Sequence, residues 1–260
     1  MDLQAVLRLY DREERRDAEF PDMTKEAFPR VVRFVRPTPE TGYVLYSDLD
    51  ETTVDAAIDE QLARFSRNGM PFEWKVYSHD RPPDLVGRLV ARGFEAEEPD
   101  AIMVLDMAVA PEALLRPPVA DVRRLSDPTQ LDDVVGVLEP VWGENFDWIH
   151  ARLGAHMAIP GYLSVHVAYV DGTPACVGWT YYSSSSFAGL WGGSTLEAYR
   201  GRSLYTDVLA ARVREAKGRG VDYLTVDAGS MSMPILARQG FEAITWATAC
   251  NWKPAAAADA

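Results

Sequence analysis

The sequence predicts an α/β protein of two similar units, each a mixed β-sheet flanked by helices. Helical and strand-like hydrophobic patterns alternate in the same order in both halves of the 260-residue chain. In each half, one of the helices also ends at a Gly-Phe pair. Alternation of helices with strands is typical of sheets covered by helices, and two copies in the same order indicate an internal repeat.

The first half opens with a charged, amphipathic helix expected over 1–17. Its later helix patterns show apolar residues three and four positions apart, and its strand patterns alternate. The second of these helices ends at Gly93-Phe94, because glycine suits the left-handed backbone after a helix and phenylalanine supplies the usual apolar contact. The predicted ranges are a helix over 54–65, a strand over 72–77, a helix over 85–92 and a strand over 102–107.

The second half repeats this order, and its last short helix ends at Gly240-Phe241. Four strand patterns precede the repeated part, two of them joined by the turn at 171–174, where Asp-Gly favours a tight hairpin. The predicted ranges are a strand over 122–125, a helix over 131–138, an irregular aromatic stretch over 142–160, strands over 163–169, 175–182 and 187–196, a helix over 204–216, a strand over 223–226, a helix ending at 240 and a strand over 244–252.

A proline-rich loop separates the halves. Pro111, Pro117 and Pro118 can continue neither a helix nor a central strand. The sequence therefore predicts one domain over 1–110, a second over 119–254, and a disordered alanine-rich tail over 255–260.

Composition narrows the functional classes. The 26 basic and 39 acidic residues leave a net charge of −13, which disfavours general attraction to nucleic acid or to anionic membranes. Cys176 and Cys250 each lie in an apolar strand-like run, and buried free thiols are expected there. We expect a cytoplasmic protein without a membrane segment, since no apolar run reaches the length of a membrane span.

One segment indicates an anion site within this acidic chain. Residues 198–205 read Ala-Tyr-Arg-Gly-Arg-Ser-Leu-Tyr and connect a strand pattern to a helix pattern. A basic loop that leads from a strand into a helix directs backbone N–H groups and the positive end of the helix dipole at one point. The alternative is a basic surface turn that only caps the helix.

This loop, the Gly192-Gly193 pair in the strand before it and the Gly240-Phe241 helix end resemble the GNAT superfamily of N-acetyltransferases over about 119–253. Ser203 and Tyr205 depart from the family's loop pattern, in which glycine is usual. The resemblance implies a bulged strand that admits the pantetheine arm, and acetyl-CoA as co-substrate. The cofactor-binding residues that it implies are Ser194, Thr195, Leu196, Arg200, Gly201, Arg202, Ser203, Leu204, Tyr205 and Ser232.

Acyl transfer to an amine also needs a proton acceptor, because only the neutral amine attacks. Asp227 is the first candidate, since it ends the strand beside the place where the bulged strand is expected to admit the pantetheine arm. Its alternative role is to cap the next helix. The other candidate bases are Glu144, Glu197, Asp147, His150 and His166. The positions at which the family commonly carries an Asn and a proton-donating Tyr are Gly229 and Leu236 here. For the acid, Tyr181, Tyr182, Tyr205 and water stay open.

The first half lacks the basic loop. At the corresponding place it reads Ser-Asp-Leu-Asp-Glu-Thr-Thr over 47–53, and three carboxylates there would repel phosphates. We therefore expect a tandem arrangement in which residues 1–110 form a degenerate GNAT-like domain without a cofactor loop.

The sequence leaves the acceptor open. We expect transfer of acetyl to a primary amine of a small molecule or peptide, and Glu144 and Asp147, among aromatic residues, favour a small cationic acceptor. The alternatives are a non-catalytic acyl-CoA binder or sensor, and an interaction module without a ligand. No metal site is predicted, since the four histidines show no metal-ligand spacing, and a homodimer is one expected assembly.

Overall fold

The computed structural model describes residues 1–37, 40–183 and 185–254. They form two compact units. The first contains residues 1–102, 228–233 and those from Ala243 onward, and the second contains residues 103–227 and 234–242. The predicted tail, 255–260, lies outside the described residues. Among the described residues, no helix is long and apolar enough to cross a membrane.

The first unit contains a mixed sheet with the strand order β1-β2-β3-β4-β12, and β5 pairs with β12. β3 and β4 run parallel, and the other pairs in this order are antiparallel. The strands are β1 Thr24–Ala27, β2 Val31–Val35, β3 Gly42–Ser47, β4 Phe72–Tyr77, β5 Glu95–Ala96 and β12 Glu242–Trp252, and β6 Asp100–Asp106 begins in this unit.

Four helical segments accompany this sheet. They are α1 Leu3–Tyr10, a π-helical segment Asp11–Arg16 that continues it, α2 Val54–Ser66 and α3 Leu85–Val90. The carboxylate of Asp2 caps α1 by accepting from two backbone N–H groups of the first turn, as side chains at this position commonly do. Apolar residues of α2 and α3 pack on the sheet around the fully buried Trp74. The helices predicted over 1–17, 54–65 and 85–92 and the strand predicted over 72–77 are confirmed. The strands β1, β2 and β3 are not among the predicted elements.

The second unit contains a mixed sheet with the order β11-β10-β9-β8-β7. β10 and β11 are parallel, and the others antiparallel. The strands are β7 Asp121–Arg124, β8 Leu163–Val170, β9 Thr173–Tyr182, β10 Phe187–Thr195 and β11 Tyr223–Ala228. The helices are α4 Glu112–Leu115, α5 Asp132–Trp142, α6 Trp148–Met157, α7 Leu204–Gly218 and α8 Met233–Arg238, with 3₁₀ turns at Pro128–Leu131 and Glu197–Tyr199.

The two units repeat one arrangement. In each, antiparallel strands lead into a helix that returns to a parallel strand, through α2 in the first unit and α7 in the second. Gly93 and Gly240 both have φ 89°. In each case the next residue, a buried phenylalanine, donates its N–H to a carbonyl five residues earlier, at 3.2 Å for Phe94 and 3.1 Å for Phe241. The predicted fold class and the predicted helix ends are confirmed.

Two expectations need correction. The stretch 142–160 is not irregular throughout, because α6 forms there with Ile149, Leu153 and His156 as its buried face. The compact units also divide differently from the predicted domains, since β12 was placed in the second domain. β12 pairs antiparallel with β4 from Ala247 to Trp252, and it therefore belongs to the first unit.

Candidate active site

Strand β10 carries a bulge at its Gly-Gly pair. Its pairing with β9 shifts register between Trp191 and Ser194, and Gly192 has φ 63°. A Cβ atom at Gly192 would lie 1.8 Å from the ring of Trp179. Glycine is required there by both the backbone and the neighbouring ring, and the bulge expected from the sequence is confirmed.

β10 and β11 are paired over their first residues, from Phe187 with Tyr223 to Gly189 with Thr225. Both strands continue beyond this last pair. Asp227 lies on that later part of β11 and is half-buried. A bulge beside the point where pairing ends offers strand backbone groups to a ligand.

The basic loop follows β10 and leads directly into α7. Arg200 is extended, and its Nε donates to the carbonyl of Thr195 at 3.3 Å. Gly201 and Ser203 both have positive φ, 72° and 61°. These two left-handed residues turn the chain into the helix, whose first N–H groups lack partners of their own turn. The loop residues from Arg200 to Ser203 are exposed.

Ser203 precedes the helix without capping it through its side chain. Its carbonyl accepts from the N–H of Asp207 at 3.0 Å. The Arg202 guanidinium lies 5.8 Å from the centre of the Tyr199 ring. The loop therefore presents two exposed guanidinium groups beside the start of a 15-residue helix, a combination that suits phosphate.

Tyr205 turns inward from the first turn of α7. Its ring lies where a side chain at Gly193 would project, 2.9 Å from that Cβ position. Burial raises the pKa of Tyr205, and the positive charge of Arg212 opposes the rise. The ring thus supports the bulge from the helix side, which accounts for tyrosine at a position where the family pattern has glycine.

The hydroxyls implied at the cofactor site have partners within the protein. Ser194 is buried, and its hydroxyl accepts from the indole N–H of Trp142 at 3.0 Å. Thr195 donates to the sulfur of Cys176 at 3.1 Å. These contacts leave the strand backbone, more than these side chains, to meet a ligand.

The remaining cofactor residues divide between the units. Leu196 and Leu204 pack into apolar clusters of the second unit. Ser232 belongs to the first unit, where its hydroxyl donates to the carbonyl of Gly229 at 3.3 Å.

The segment between α5 and α6 is acidic and aromatic. Glu144 and Asp147 are exposed. Asp147 exchanges hydrogen bonds with Asn145, at 2.8 and 3.0 Å. Trp142 and Trp148 keep 55% and 39% of their surface exposed, and the Arg152 guanidinium lies 4.7 Å from the centre of the Trp148 ring.

The other candidate bases differ in their exposure. Glu197 is exposed on the 3₁₀ turn, and His150 faces Asp132 at 3.5 Å. His166 is buried beside Glu215, with 3.5 Å between Nε2 and a carboxylate oxygen. Burial lowers the pKa of His166 to about 4, against the opposing charge of Glu215.

Of the candidate acids Tyr181 and Tyr182, the first has a hydrogen-bond partner for its hydroxyl, and the hydroxyl of the second has none among the described residues. The hydroxyl of Tyr181 lies 2.8 Å from Nδ1 of His156. Tyr182 is buried, and the Arg219 guanidinium stacks 3.7 Å from its ring centre. Both cysteines are buried and free, as expected.

In the first unit, the pairing of two parallel strands also ends early, and an arginine side chain lies at that point. β3 and β4 pair from Gly42–Val44 with Phe72–Trp74 and not beyond. Arg15 donates its Nε to the carbonyl of Leu45 at 3.0 Å, and its guanidinium lies 3.8 Å from the ring centre of Tyr77. Its other end forms a buried ion pair with Asp80 at 2.7 Å. One side chain thus bridges the diverging strand ends.

The acidic loop of the first unit is folded onto itself. Asp50 accepts hydrogen bonds from both Thr52 and Thr53. These bonds lower the pKa of Asp50 to about 2, and the bond from the Thr52 side chain has the largest effect. Arg30 pairs with the same carboxylate at 3.2 Å. The loop therefore carries fixed negative charge where a phosphate site would need positive charge.

Sequence reasoning missed two contributors to the second unit's site, Trp179 and Arg212. Trp179 gives no local signal, because its role depends on its antiparallel partner on β10. Arg212 has one, since it interrupts the apolar stripe of α7 between Val208 and Ala216, a position that seldom holds a charge without a reason.

Comparison with known proteins agrees with this geometry. Residues 116–231 match the family model described as the acetyltransferase (GNAT) domain. Over this segment, a little under half of the chain, the sequence is similar to that domain. No curated protein matches the sequence significantly.

Solved structures resemble the chain in fold at low sequence identity. A GCN5-related N-acetyltransferase from Kribbella flavida is 13% identical with TM-score 0.70, covering 98% of this chain and 95% of its own. A tandem GNAT protein from the clavulanic acid biosynthesis pathway is 13% identical with TM-score 0.60, covering 93% and 86%. A GCN5-related N-acetyltransferase from Sphaerobacter thermophilus is 13% identical with TM-score 0.57, covering 99% and 87%. The fold is that of GNAT proteins, and the repeated units are consistent with a tandem arrangement.

Proposed function

We propose that the protein transfers acetyl from acetyl-CoA to a primary amine of a small cationic acceptor. The observation that carries the proposal is the sequence of features along one strand and one helix. The bulge at Gly192, the end of pairing with β11 and the basic loop at the start of α7 follow each other within about one strand's length. Together they offer strand N–H groups to an acyl thioester and a helix start to its phosphates.

The donor end suits a thioester that carries phosphates. Arg200 and Arg202 supply charge, and the positive φ of Gly201 and Ser203 keeps the loop backbone turned toward the helix start. We take acetyl-CoA as the donor and the cytoplasm as the compartment, since two buried free thiols suit reducing conditions.

The chemistry is direct transfer. The neutral amine nitrogen attacks the thioester carbonyl carbon, the carbon–sulfur bond breaks, and the products are an amide and free CoA thiol. Asp227 accepts the amine proton, directly or through one water, since it lies on β11 beyond its last pair with β10. Negative charge that develops on the carbonyl oxygen is stabilised by the bulge N–H groups.

The departing thiolate needs little help. At the position where a proton-donating tyrosine is common, this chain has the fully buried Leu236. An alkyl thiol has a pKa of about 8.5, so solvent protonates it readily near neutral pH. We therefore propose water as the acid.

The acceptor side suits a cation. Glu144 and Asp147 are exposed carboxylates between Trp142 and Trp148, and aromatic faces attract cationic groups. The Trp142 indole is fixed to the bulged strand through Ser194, which connects the aromatic segment to the thioester end of the site.

Thiol release from acetyl-CoA tests the proposal, measured with a panel of polyamines, aminoglycosides, amino acids and peptide N-termini. We expect turnover with at least one cationic amine and formation of the amide by mass spectrometry. Binding of acetyl-CoA by calorimetry without thiol release would favour the alternative of an acyl-CoA sensor. The absent tyrosine and asparagine positions, Leu236 and Gly229, are the feature that favours that alternative.

A further inference from the structure

Arg212 is buried in the second unit without an acidic partner. It projects from α7, keeps 1% of its surface exposed, and forms no ion pair among the described residues. Its Nε also has no hydrogen-bond partner there. A buried guanidinium normally pairs with a carboxylate, because the cost of removing it from water is otherwise large. Its place in the fold therefore requires a different explanation.

The guanidinium is directed at the bulge. One nitrogen, Nη1, lies 3.3 Å from the carbonyl oxygen of Trp191 and 3.4 Å from that of Trp179. These two residues are the last cross-strand pair before the register shift. Space for the group comes from Gly178, where a Cβ atom would lie 2.8 Å from the guanidinium carbon.

The contact with Trp191 has a consequence on the other side of the same peptide group. The carbonyl of Trp191 and the N–H of Gly192 belong to one planar trans peptide, so they point in opposite directions. A charged donor on the carbonyl strengthens the N–H as a donor, because hydrogen bonds in a chain polarise one another in a low-dielectric interior. The N–H of Gly192 thus points away from Arg212 and is made a stronger donor by it.

We propose that Arg212 is a positioning residue of the acyl-transfer site, which holds the bulge and strengthens the Gly192 N–H as a donor to the thioester carbonyl oxygen. The inference rests on the proposed function and deepens it. Tyr205, about two helical turns earlier on α7, lies against the Cβ position of Gly193. The helix α7, which begins at the basic loop, therefore also carries the two side chains that contact the bulge.

The test compares Arg212→Met with the control Arg214→Met, which removes an exposed arginine from the same helix. Methionine keeps an unbranched apolar stem, and replacing a buried charge by a fitting apolar group often preserves stability. We expect Arg212→Met to bind CoA within about twofold of the parent. We expect kcat to fall about tenfold, less than the roughly 10²–10³-fold lost with a whole oxyanion donor. The carbonyl stretch of bound acetyl-CoA labelled with ¹³C should move to higher frequency, while Arg214→Met matches the parent.

The infrared measurement distinguishes a failure of the proposed function from a failure of the role proposed for Arg212. A parent that binds acetyl-CoA but transfers acetyl to no amine would contradict the proposed function, and the carbonyl frequency would still test Arg212. A folded Arg212→Met with parental kcat and carbonyl frequency would overturn the inference. If Arg212→Met does not fold, Gly178→Ala decides, because its methyl group displaces the guanidinium. Parental values in folded Gly178→Ala, or failure of both variants to fold, would reduce Arg212 to a residue of the fold alone.

Discussion

The ring of Trp179 occupies the space that a side chain at Gly192 would need. The two residues lie on neighbouring antiparallel strands, and the distance from a Cβ at Gly192 to the ring would be 1.8 Å. The bulge that shapes the proposed thioester site is therefore set by a pair, a glycine with φ 63° and a tryptophan against it.

Gly192→Ala is expected to destabilise the protein and to remove most of the acyl-transfer activity. The left-handed backbone alone costs about 1–2 kcal/mol for a non-glycine residue, and crowding against Trp179 adds about 1–3 kcal/mol. Gly69→Ala is the matched control, since Gly69 has φ 61° and nothing within 4 Å of its Cβ position. Urea unfolding checks both variants, and equal losses would show that the Trp179 contact contributes nothing.

Arg200 and Arg202 are expected to carry the affinity for acetyl-CoA. Replacing both with Glu should weaken binding at least tenfold, about 1.4 kcal/mol, because two attractive charges become repulsive beside the phosphates. The control is Arg116→Glu with Arg123→Glu, which changes the net charge equally at exposed residues of the same unit. Calorimetric titration checks this, and unchanged affinity in the folded loop variant would remove the phosphate assignment.

One acetyl-CoA is expected to bind per chain. In the first unit, Arg15 bridges the strand ends that diverge, and the carboxylates of the 47–53 loop oppose phosphates. Calorimetry with acetyl-CoA should therefore give one site. The Arg200→Glu, Arg202→Glu variant serves as the control, because it should leave no second site of comparable affinity. Two equivalent sites in the parent would show that the first unit has kept its cofactor site.

Local patterns were sufficient for part of this fold. The Gly-Phe helix ends and the Gly-Gly bulge could be predicted because each depends on the conformation of one or two residues, such as Gly240 at φ 89°. The partner of β12 could not be predicted, because this strand pairs with β4, about 170 positions earlier in the chain. Such distant pairing has no local signature in the sequence. The first-half strands β1 to β3 were also not recognised, nor was α6, although its apolar spacing was visible.

The residues of the candidate site also divide into those that the sequence predicts and those that it does not. The basic loop and Asp227 stand out in sequence because their residue types point to phosphate and proton chemistry. Arg212 and Trp179 act through backbone carbonyls and through ring volume on a neighbouring strand, and such roles appear only when the strands are paired in register.

His166 is expected to make stability fall in mild acid. Its pKa is lowered by burial to about 4 from the ordinary 6.5, so between these values the unfolded chain binds a proton that the folded protein does not. The free energy of unfolding should be complete above about pH 6.5 and decrease as the pH falls towards 4, by at most about 3 kcal/mol. Urea unfolding at several pH values should show a flatter dependence for His166→Gln, whereas His150→Gln, at an exposed site, should keep the parental slope. A parental slope in His166→Gln would assign the acid sensitivity to other groups.

Asp227→Asn is expected to lower the rate of acyl transfer by about 10²–10⁴-fold, the usual contribution of a general base, with acetyl-CoA affinity near that of the parent. Asparagine keeps the shape and hydrogen-bonding reach of the side chain but cannot take the amine proton. Asp222→Asn, which removes an exposed carboxylate just before β11, is the matched control and should leave the rate unchanged. Steady-state kinetics with a saturating amine, together with thermal unfolding, separates a base from a helix cap. A cap alone would lower the unfolding temperature and leave kcat at the parental value, and the proton acceptor would then have to be water or the acidic pair Glu144 and Asp147.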